Sequence, residues 1–478
     1  MSVAVQYRAT SNGTDLDTEE TFGVINPATG KVFAQAPAVS PQQLDAVFAS
    51  ADLAFQTWKR DESFRQNALF ATADAIESSL EQLSHILTAE QGKPLADAKA
   101  EITSSLRWLR YYAALQLPRE IVQDDDKGFA EVFRRPLGVV SAITPWNFPF
   151  TLAIWKIAPA LRAGNTIVVK PSPFTPLTTL ALGKLLRGVL PNGVFNVVSG
   201  PDPLGSALTS HPIPRKISFT GSTATGKKVA LAAAEDLKRV TLELGGNDPA
   251  IVLEGTNVSK IAETLFWGAF RNNGQICVAV KRIYAHESIH NELVEALSAI
   301  AKSVKVGEGT VEGVRLGPIN NKPQLERITE LVDDAIAHGA RVAAGGNRMD
   351  RPGYFFEPTI LYGISDGVRI VDEEQFGPAL PVIPFRDETD AIARANYGNY
   401  GLTASVWSDD PERATRLAAD IDSGQVSINI HGGAVAPNLP FSGHKWSGIG
   451  VECGPWGLYG FTEFQVISSP PRTSPVSL

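Results

Sequence analysis

The sequence predicts an α/β protein built from two doubly wound layers, and three observations carry that prediction. Short β-rich runs alternate with helical stretches from residue 138 to about 302. The apolar spacing changes from threes and fours before residue 117 to short strand-like runs after 138. The Gly245–Gly246 pair interrupts the alternation, which then resumes. Strands alternating with helices at this spacing make βαβ units, a parallel sheet with helices on both faces.

In chain order, residues 1–20 are polar, with Asp15, Asp17, Glu19 and Glu20 close together, and read as a loose arm. Residues 41–117 are helical: LDAVFASADLAFQTW and FATADAIESSLEQLSHIL repeat apolar positions at three and four. Strands follow at 138–144, 165–170, 194–198, 215–220 and 239–244, separated by helices at 151–162, 176–188, 203–210 and 223–234. Past Gly246, strands are expected near 249–253 and 280–285, and helices near 257–272 and 288–302. The tail SSPPRTSPVSL is rich in Pro and Ser and reads as irregular.

Composition bounds the function. The chain has 478 residues, 44% apolar and 20% charged, with a mean hydropathy of -0.03. That is a globular profile, long enough for several layers or domains. With 43 basic against 51 acidic residues, nothing attracts a phosphate backbone, so no nucleic-acid partner is expected. The longest apolar candidate, 148–169, is broken by Lys156, Arg162 and Gly164, so no membrane span is expected. The start, MSVAVQYRAT, lacks a basic region followed by an apolar stretch, so no secretory signal is read there. Cys277 and Cys453 are the two cysteines, too few for a disulfide framework, which points to a reducing, cytoplasmic setting.

Several motifs carry chemistry, each with a plainer reading beside it. GSTATG (221–226) follows a strand and precedes a helix, where free N–H groups can meet an anion. It is not a P-loop, because Lys227 is followed by Lys228, and a simple strand–turn–helix joint reads equally well. HESIH (286–290) matches a zinc-protease pattern, but His286 ends a strand and Ser288 reads as the cap of the next helix. Both histidines are therefore expected on the surface, and no metal site is assigned. Cys277, in FRNNGQICVAV, has polar neighbours that suit an exposed thiol better than a core position. Glu243 closes a strand of the parallel sheet, where ligands gather, as a general base or a salt-bridged residue. Asn147, between prolines in PWNFP, is a fixed amide donor or a turn residue. Lys170 ends TIVVK and either meets a ribose or phosphate or is solvated; Cys453 reads as structural.

Taken together, TPWNFP (144–149), VVKPS (168–172), FTGSTATG (219–226), LELGG (242–246), GQIC (274–277) and EEQFGP (373–378) resemble the NAD(P)-dependent aldehyde dehydrogenase superfamily in order and spacing. The similarity spans about 26–466, and the 34-residue interval from Glu243 to Cys277 matches too. The resemblance implies an NAD(P)-binding domain over 1–117 and 137–245, a catalytic domain over 246–445, and an oligomerisation β-element over 118–136 and 462–470. A homodimer or homotetramer follows from that element. The implied activity is oxidation of an aldehyde to a carboxylic acid with NAD+, NADP+ being left open.

The resemblance also assigns roles. Cys277 is the nucleophile, its backbone N–H and the Asn147 amide hold the oxyanion, and Glu243 activates water against the thioester. Lys170 is the adenosine-ribose ligand, Glu374 the nicotinamide-ribose ligand, and Gly221 and Ser222 the pyrophosphate contacts. Phe376 packs beside the nicotinamide, and Trp146, Ser172, Gly226, Leu244 and Gly245 complete the cofactor set. Phe148, Trp155, Arg271, Ile276, Val278 and Phe441 are the substrate contacts. A CoA-acylating enzyme and a non-catalytic ligand-binding protein on this fold are alternatives. Glu243 argues against the first, and retention of thiol, donor and base against the second.

The sequence departs from the family's pattern at three places. Pro173 stands where the family often has the glutamate that grips the ribose, which opens the site to NADP+, with Ser172 able to meet its 2′-phosphate. The late segment reads PFSGHKWSG rather than PFGG-K-SG. Arg271, six residues before Cys277, resembles the carboxylate-holding arginine of the succinate-semialdehyde branch. That branch's second arginine is Trp155 here, an apolar wall. The expectation is an aldehyde with an anionic group on an apolar or differently sized body, with Arg271 turned to a nearby acid as the alternative.

Overall fold

The computed structural model describes residues 7–432 and 435–471; the first six residues of the expected arm and most of the Pro/Ser tail lie outside them. Two mainly parallel sheets organise the chain. In the first, the neighbouring strands Phe195–Val197, Thr166–Lys170, Val139–Ile143, Lys216–Thr220 and Arg239–Glu243 run parallel. TIVVK and KISFT are buried at every position, as strands covered on both faces must be. Helix Pro149–Ala163 is likewise buried throughout, so its Lys156 and Arg162 need partners, and they find Glu452 and Glu62.

The second sheet orders Arg341–Ala344, Thr359–Tyr362, Ala379–Phe385, Val280–His286, Asp248–Val252, Thr403–Trp407 and Gln425–Ile428. All its pairings are parallel except the Arg341–Ala344 edge. The chain crosses between sheets at Leu244–Asn247, just beyond the carboxyl end of Arg239–Glu243. The region before residue 117 forms four helices, Pro41–Trp58, Glu62–Ser78, Leu80–Gln91 and Leu95–Ala114. The first opens with a reciprocal Ser40–Gln43 capping box. Strands Glu120–Asp125, Gly128–Pro136 and Thr462–Ser469 form a separate antiparallel sheet, on which Ile121, Val122, Phe464, Val466 and Ile467 are exposed.

Two expectations are corrected. The described part of the N-terminal arm is not loose: Ala9–Ser11 and Thr14–Leu16 form a hairpin that pairs with Phe195–Val197 on the edge of the first sheet. Asn12 and Gly13 take φ of 50° and 72°, the two positive angles that a tight hairpin turn requires. The histidines of HESIH are not both on the surface. His290 is buried, its Nε2 3.2 Å from the Val382 carbonyl, while His286 itself caps helix Glu287–Ser303 by accepting from the Ser288 N–H.

Candidate active site

Cys277 is delivered by a sharp turn. Helix Val258–Phe270 ends, and Asn272, Asn273 and Gly274 take φ of 50°, 57° and 67°. Asparagine and glycine are the residues that tolerate this left-handed region, which is why the sequence reads Asn-Asn-Gly. At Gly274 a side chain would meet the Gly377 carbonyl at 2.5 Å. The turn leaves Cys277 half-buried at the wall of a cavity of about 390 Å³.

Asn147 faces it from the loop after strand Val139–Ile143. Its Nδ2 donates to the Gln275 carbonyl at 3.0 Å, which spends one of the amide's two hydrogens. The Asn147 backbone carbonyl accepts from Lys93 Nζ at 3.0 Å and from Asn272 Nδ2 at 3.1 Å. Lys93 is in turn paired with buried Glu101, which takes the N–H groups of Phe150 and Thr151 at the start of the next helix. The amide is thus fixed in place with one donor hydrogen to offer.

Glu243, at the end of its strand, lines the same cavity, and neither carboxylate oxygen has a hydrogen-bond partner among the described residues. Burial raises its pKa well above the usual carboxylate range; neighbouring Glu452 adds to the rise and Lys156 opposes it. Lys156 sits 2.7 Å from Glu452 and donates to Thr220 Oγ1 at 2.7 Å. Burial likewise pushes the Cys277 thiol up to about 12, against the pull of Lys281. Burial thus disfavours the charged form of both groups, and ionising either needs a further charge or a water at the site.

The structure brings the expected substrate residues together: Phe148, Trp155, Arg271, Ile276, Val278 and Phe441 all line this cavity, with Leu244 from the cofactor set. Trp155 packs 5.3 Å from Trp108 on one side and 5.3 Å from Phe441 on the other, an aromatic wall. Arg271 is exposed and makes no hydrogen bond or ion pair among the described residues; Asp97 feels its charge only through space. Sequence reasoning missed Arg107, also exposed and unpaired among the described residues, on helix Leu95–Ala114 lining the same cavity. Nothing in the local sequence marks it, since it precedes Cys277 by 170 positions.

The expected cofactor residues form two groups. On the Cys277 side, Phe376 (φ 50°) meets the Trp146 ring edge-on at 5.3 Å. Glu374 accepts from the Gly246 N–H at 3.1 Å, and a side chain at Gly245 would collide with its carboxylate. A side chain at Gly226 would collide with Leu244. On the other side, Lys170 is buried, and among the described residues its Nζ reaches the Pro171 carbonyl alone, at 3.5 Å. Burial lowers its pKa to about 8, and the nearby Asp202 carboxylate opposes that. Ser172 is buried beside it. Ser222 caps helix Thr223–Glu235, and Gly221 packs on the Phe219 ring 2.6 Å from where its Cβ would be. A buried ammonium short of acceptors among the described residues, a helix N-terminus after a glycine turn and the Glu374 carboxylate fit the ribose, pyrophosphate and ribose of a dinucleotide. In PFSGHKWSG, Trp446 lies under the Lys227 ammonium, 3.4 Å from the ring centre, beside that helix.

Among the described residues no cluster of histidine, cysteine and carboxylate side chains is arranged to hold a metal, and no helix is long and apolar enough to cross a membrane.

The aldehyde dehydrogenase family profile matches residues 14–467. The chain is 38% identical over 459 residues to 3-sulfolactaldehyde dehydrogenase of Pseudomonas putida, covering 94% of each. It is 38% identical over 463 residues to phenylacetaldehyde dehydrogenase of Pseudomonas fluorescens, covering 93% of this chain and 91% of that one. An NAD+ complex of an aldehyde dehydrogenase from Bacillus cereus superposes with a TM-score of 0.95 at 35% identity, covering 98% of this chain and 97% of that one.

Proposed function

The chain belongs to the aldehyde dehydrogenase family, and from that premise we propose that it oxidises an aldehyde to a carboxylic acid with NAD+ through a covalent intermediate on Cys277. The observation that carries this reading is the convergence of Cys277, the fixed Asn147 amide and the unpartnered Glu243 carboxyl on one cavity.

The steps follow from those groups. The Cys277 thiolate adds to the aldehyde carbon. The oxygen that gains charge is held by the remaining Asn147 amide hydrogen and the Cys277 N–H. Lys170, Ser222 and Glu374 would hold NAD+, which would take up the hydride lost from the aldehyde carbon. What stays on Cys277 is a thioester. Glu243, once ionised, takes a proton from water, and the water attacks the thioester to release the acid and the thiol. Because Glu243 is buried and Glu452 stands beside it, its basicity is high when it does ionise.

The substrate reading rests on the tunnel. Trp108, Trp155 and Phe441 favour an apolar, ring-sized body, and the unpaired guanidiniums of Arg107 and Arg271 favour an anionic group at the far end. Two relatives are named for a sulfonated and an aromatic aldehyde, each of which has one of those features. The exposed apolar residues of the sheet joining 120–136 to 462–469 support assembly into a dimer or tetramer through that sheet.

The test is NADH formation with a panel of aldehydes, with and without CoA. Activity independent of CoA and lost in Cys277→Ser supports the reading. A strict need for CoA would favour the acylating reaction instead.

A further inference from the structure

We propose that Lys281 is a positioning residue for the nucleophile: its ammonium clasps the Cys277 loop from behind, aims the Cys277 N–H at the reacting oxygen, and holds a positive charge behind the thiol. The inference rests on Cys277 being the nucleophile.

The geometry is specific. Lys281 is buried and belongs to Val280–His286, a strand hydrogen-bonded on both sides within the second sheet. Its Nζ donates to the carbonyls of Ile276 at 2.6 Å, Cys277 at 3.2 Å and Ala279 at 3.2 Å. All three of an ammonium's hydrogens are thereby committed to one short loop. The Ile276 carbonyl and the Cys277 N–H belong to the same planar trans peptide, so they point in opposite directions. Fixing the oxygen on a rigid strand fixes the N–H on the other side. A cation on the oxygen also polarises the peptide and makes that N–H a better donor. The approach is tight from a second side, because a Cβ at Gly246 would lie 2.7 Å from the Cys277 carbonyl.

The charge matters as well as the clasp. The groups acting on the Cys277 thiol are Lys281 and the carboxyls of Glu374, Asp248 and Glu243, and Lys281 is the one cation among them. The same ammonium acts on Asp248, Glu374 and the buried imidazole of His431, and the Phe376 ring lies 5.9 Å from it. A loop fastened only by neutral donors would leave the thiol facing carboxyls alone.

The experiment is the pH dependence of iodoacetamide alkylation at Cys277, with kcat and KM, in wild type, Lys281→Met, Lys281→Gln and Lys281→Arg. Cys453 is buried, so the reporter is Cys277, and Cys277→Ser is run beside them. Tryptophan quenching by NAD+ checks that each variant is folded. Losing the cation in Met and Gln should move the thiol titration upward by about one unit, which slows alkylation near neutral pH roughly tenfold. kcat should fall at least as much while the NAD+ KM holds, and Arg should restore part of both. Gln keeps donors without charge, so it decides the matter if Met does not fold. Wild-type alkylation profiles and kcat in folded Met or Gln would overturn the proposal. Full activity in Cys277→Ser would overturn the nucleophile assignment instead.

Discussion

Lys156 and Glu452, 296 residues apart in sequence, form an ion pair, Nζ to Oε1 2.7 Å, buried beside the Glu243 carboxyl. The pair adjusts how readily Glu243 ionises, beneath the larger effect of burial. Lys156 favours its charged form and Glu452 disfavours it, on top of the burial that already raises its pKa. Replacing Lys156 by methionine removes the favourable member. The Glu243 pKa then rises further, and the acid limb of the kcat profile moves to higher pH. Each unit of movement lowers the rate below the limb about tenfold. The variant also leaves Glu452 buried without its partner, a loss of about 3–5 kcal/mol, which thermal melts read. An unshifted kcat profile in a folded variant would show that the pair is structural alone.

Arg271 gives a test of substrate charge. Arg271→Leu should lower kcat/KM for an anionic aldehyde about ten- to hundredfold, the value of a charge-assisted hydrogen bond of roughly 1.5–3 kcal/mol. A neutral aldehyde of equal length should be unaffected. Because Arg107 lines the same cavity, Arg107→Leu should act on the anion in the same sense and by a smaller factor, and steady-state kinetics on both substrates measures both. Equal losses on the two aldehydes would remove the arginines as anion contacts.

Pro173 gives a test of cofactor choice. Without a carboxylate at that position, NAD+ should be preferred while NADP+ supports measurable turnover. Pro173→Glu should sharpen the preference for NAD+ by adding ribose hydrogen bonds and repelling a 2′-phosphate. Asp202, which acts on the buried Lys170 ammonium, supplies a negative charge at this end of the site. Asp202→Asn should therefore shift the ratio of kcat/KM values toward NADP+. Competition assays with both cofactors give the ratio directly, and no NADP+ turnover in wild type would show that Pro173 does not open the site.

What the sequence made legible were residues whose roles sit within short, chemically odd segments. Asn-Asn-Gly before Gln-Ile-Cys marks a strained turn presenting a thiol, and PWNFP marks a fixed amide. Lys156, Glu452, Arg107 and Lys281 carry no such local mark. Lys156 reads as one polar position in an apolar helix, and its partner lies 296 residues away, brought in only by the folded chain. Lys281 reads as an ordinary strand residue, because its task is read from three carbonyls that turn back on it. The N-terminal hairpin was within reach: Asn12-Gly13 is a strong turn signal, overshadowed by the acidic residues after it. His290 reads as a surface residue because its side chain is polar, whereas it sits buried with its Nε2 against the Val382 carbonyl.

The most direct test of the chemistry is the mass of the enzyme after one turnover without hydrolysis. Glu243→Gln, mixed with NAD+ and an accepted aldehyde, quenched in acid and digested, should show the Cys277 peptide heavier by the acyl group. One equivalent of NADH should appear in a burst while steady turnover collapses. Glutamine keeps the shape of Glu243 but cannot take a proton from water, so the thioester has no route onward. An unmodified Cys277 peptide, with burst and turnover lost together, would contradict hydrolysis by Glu243 and place that residue in activating the thiol instead.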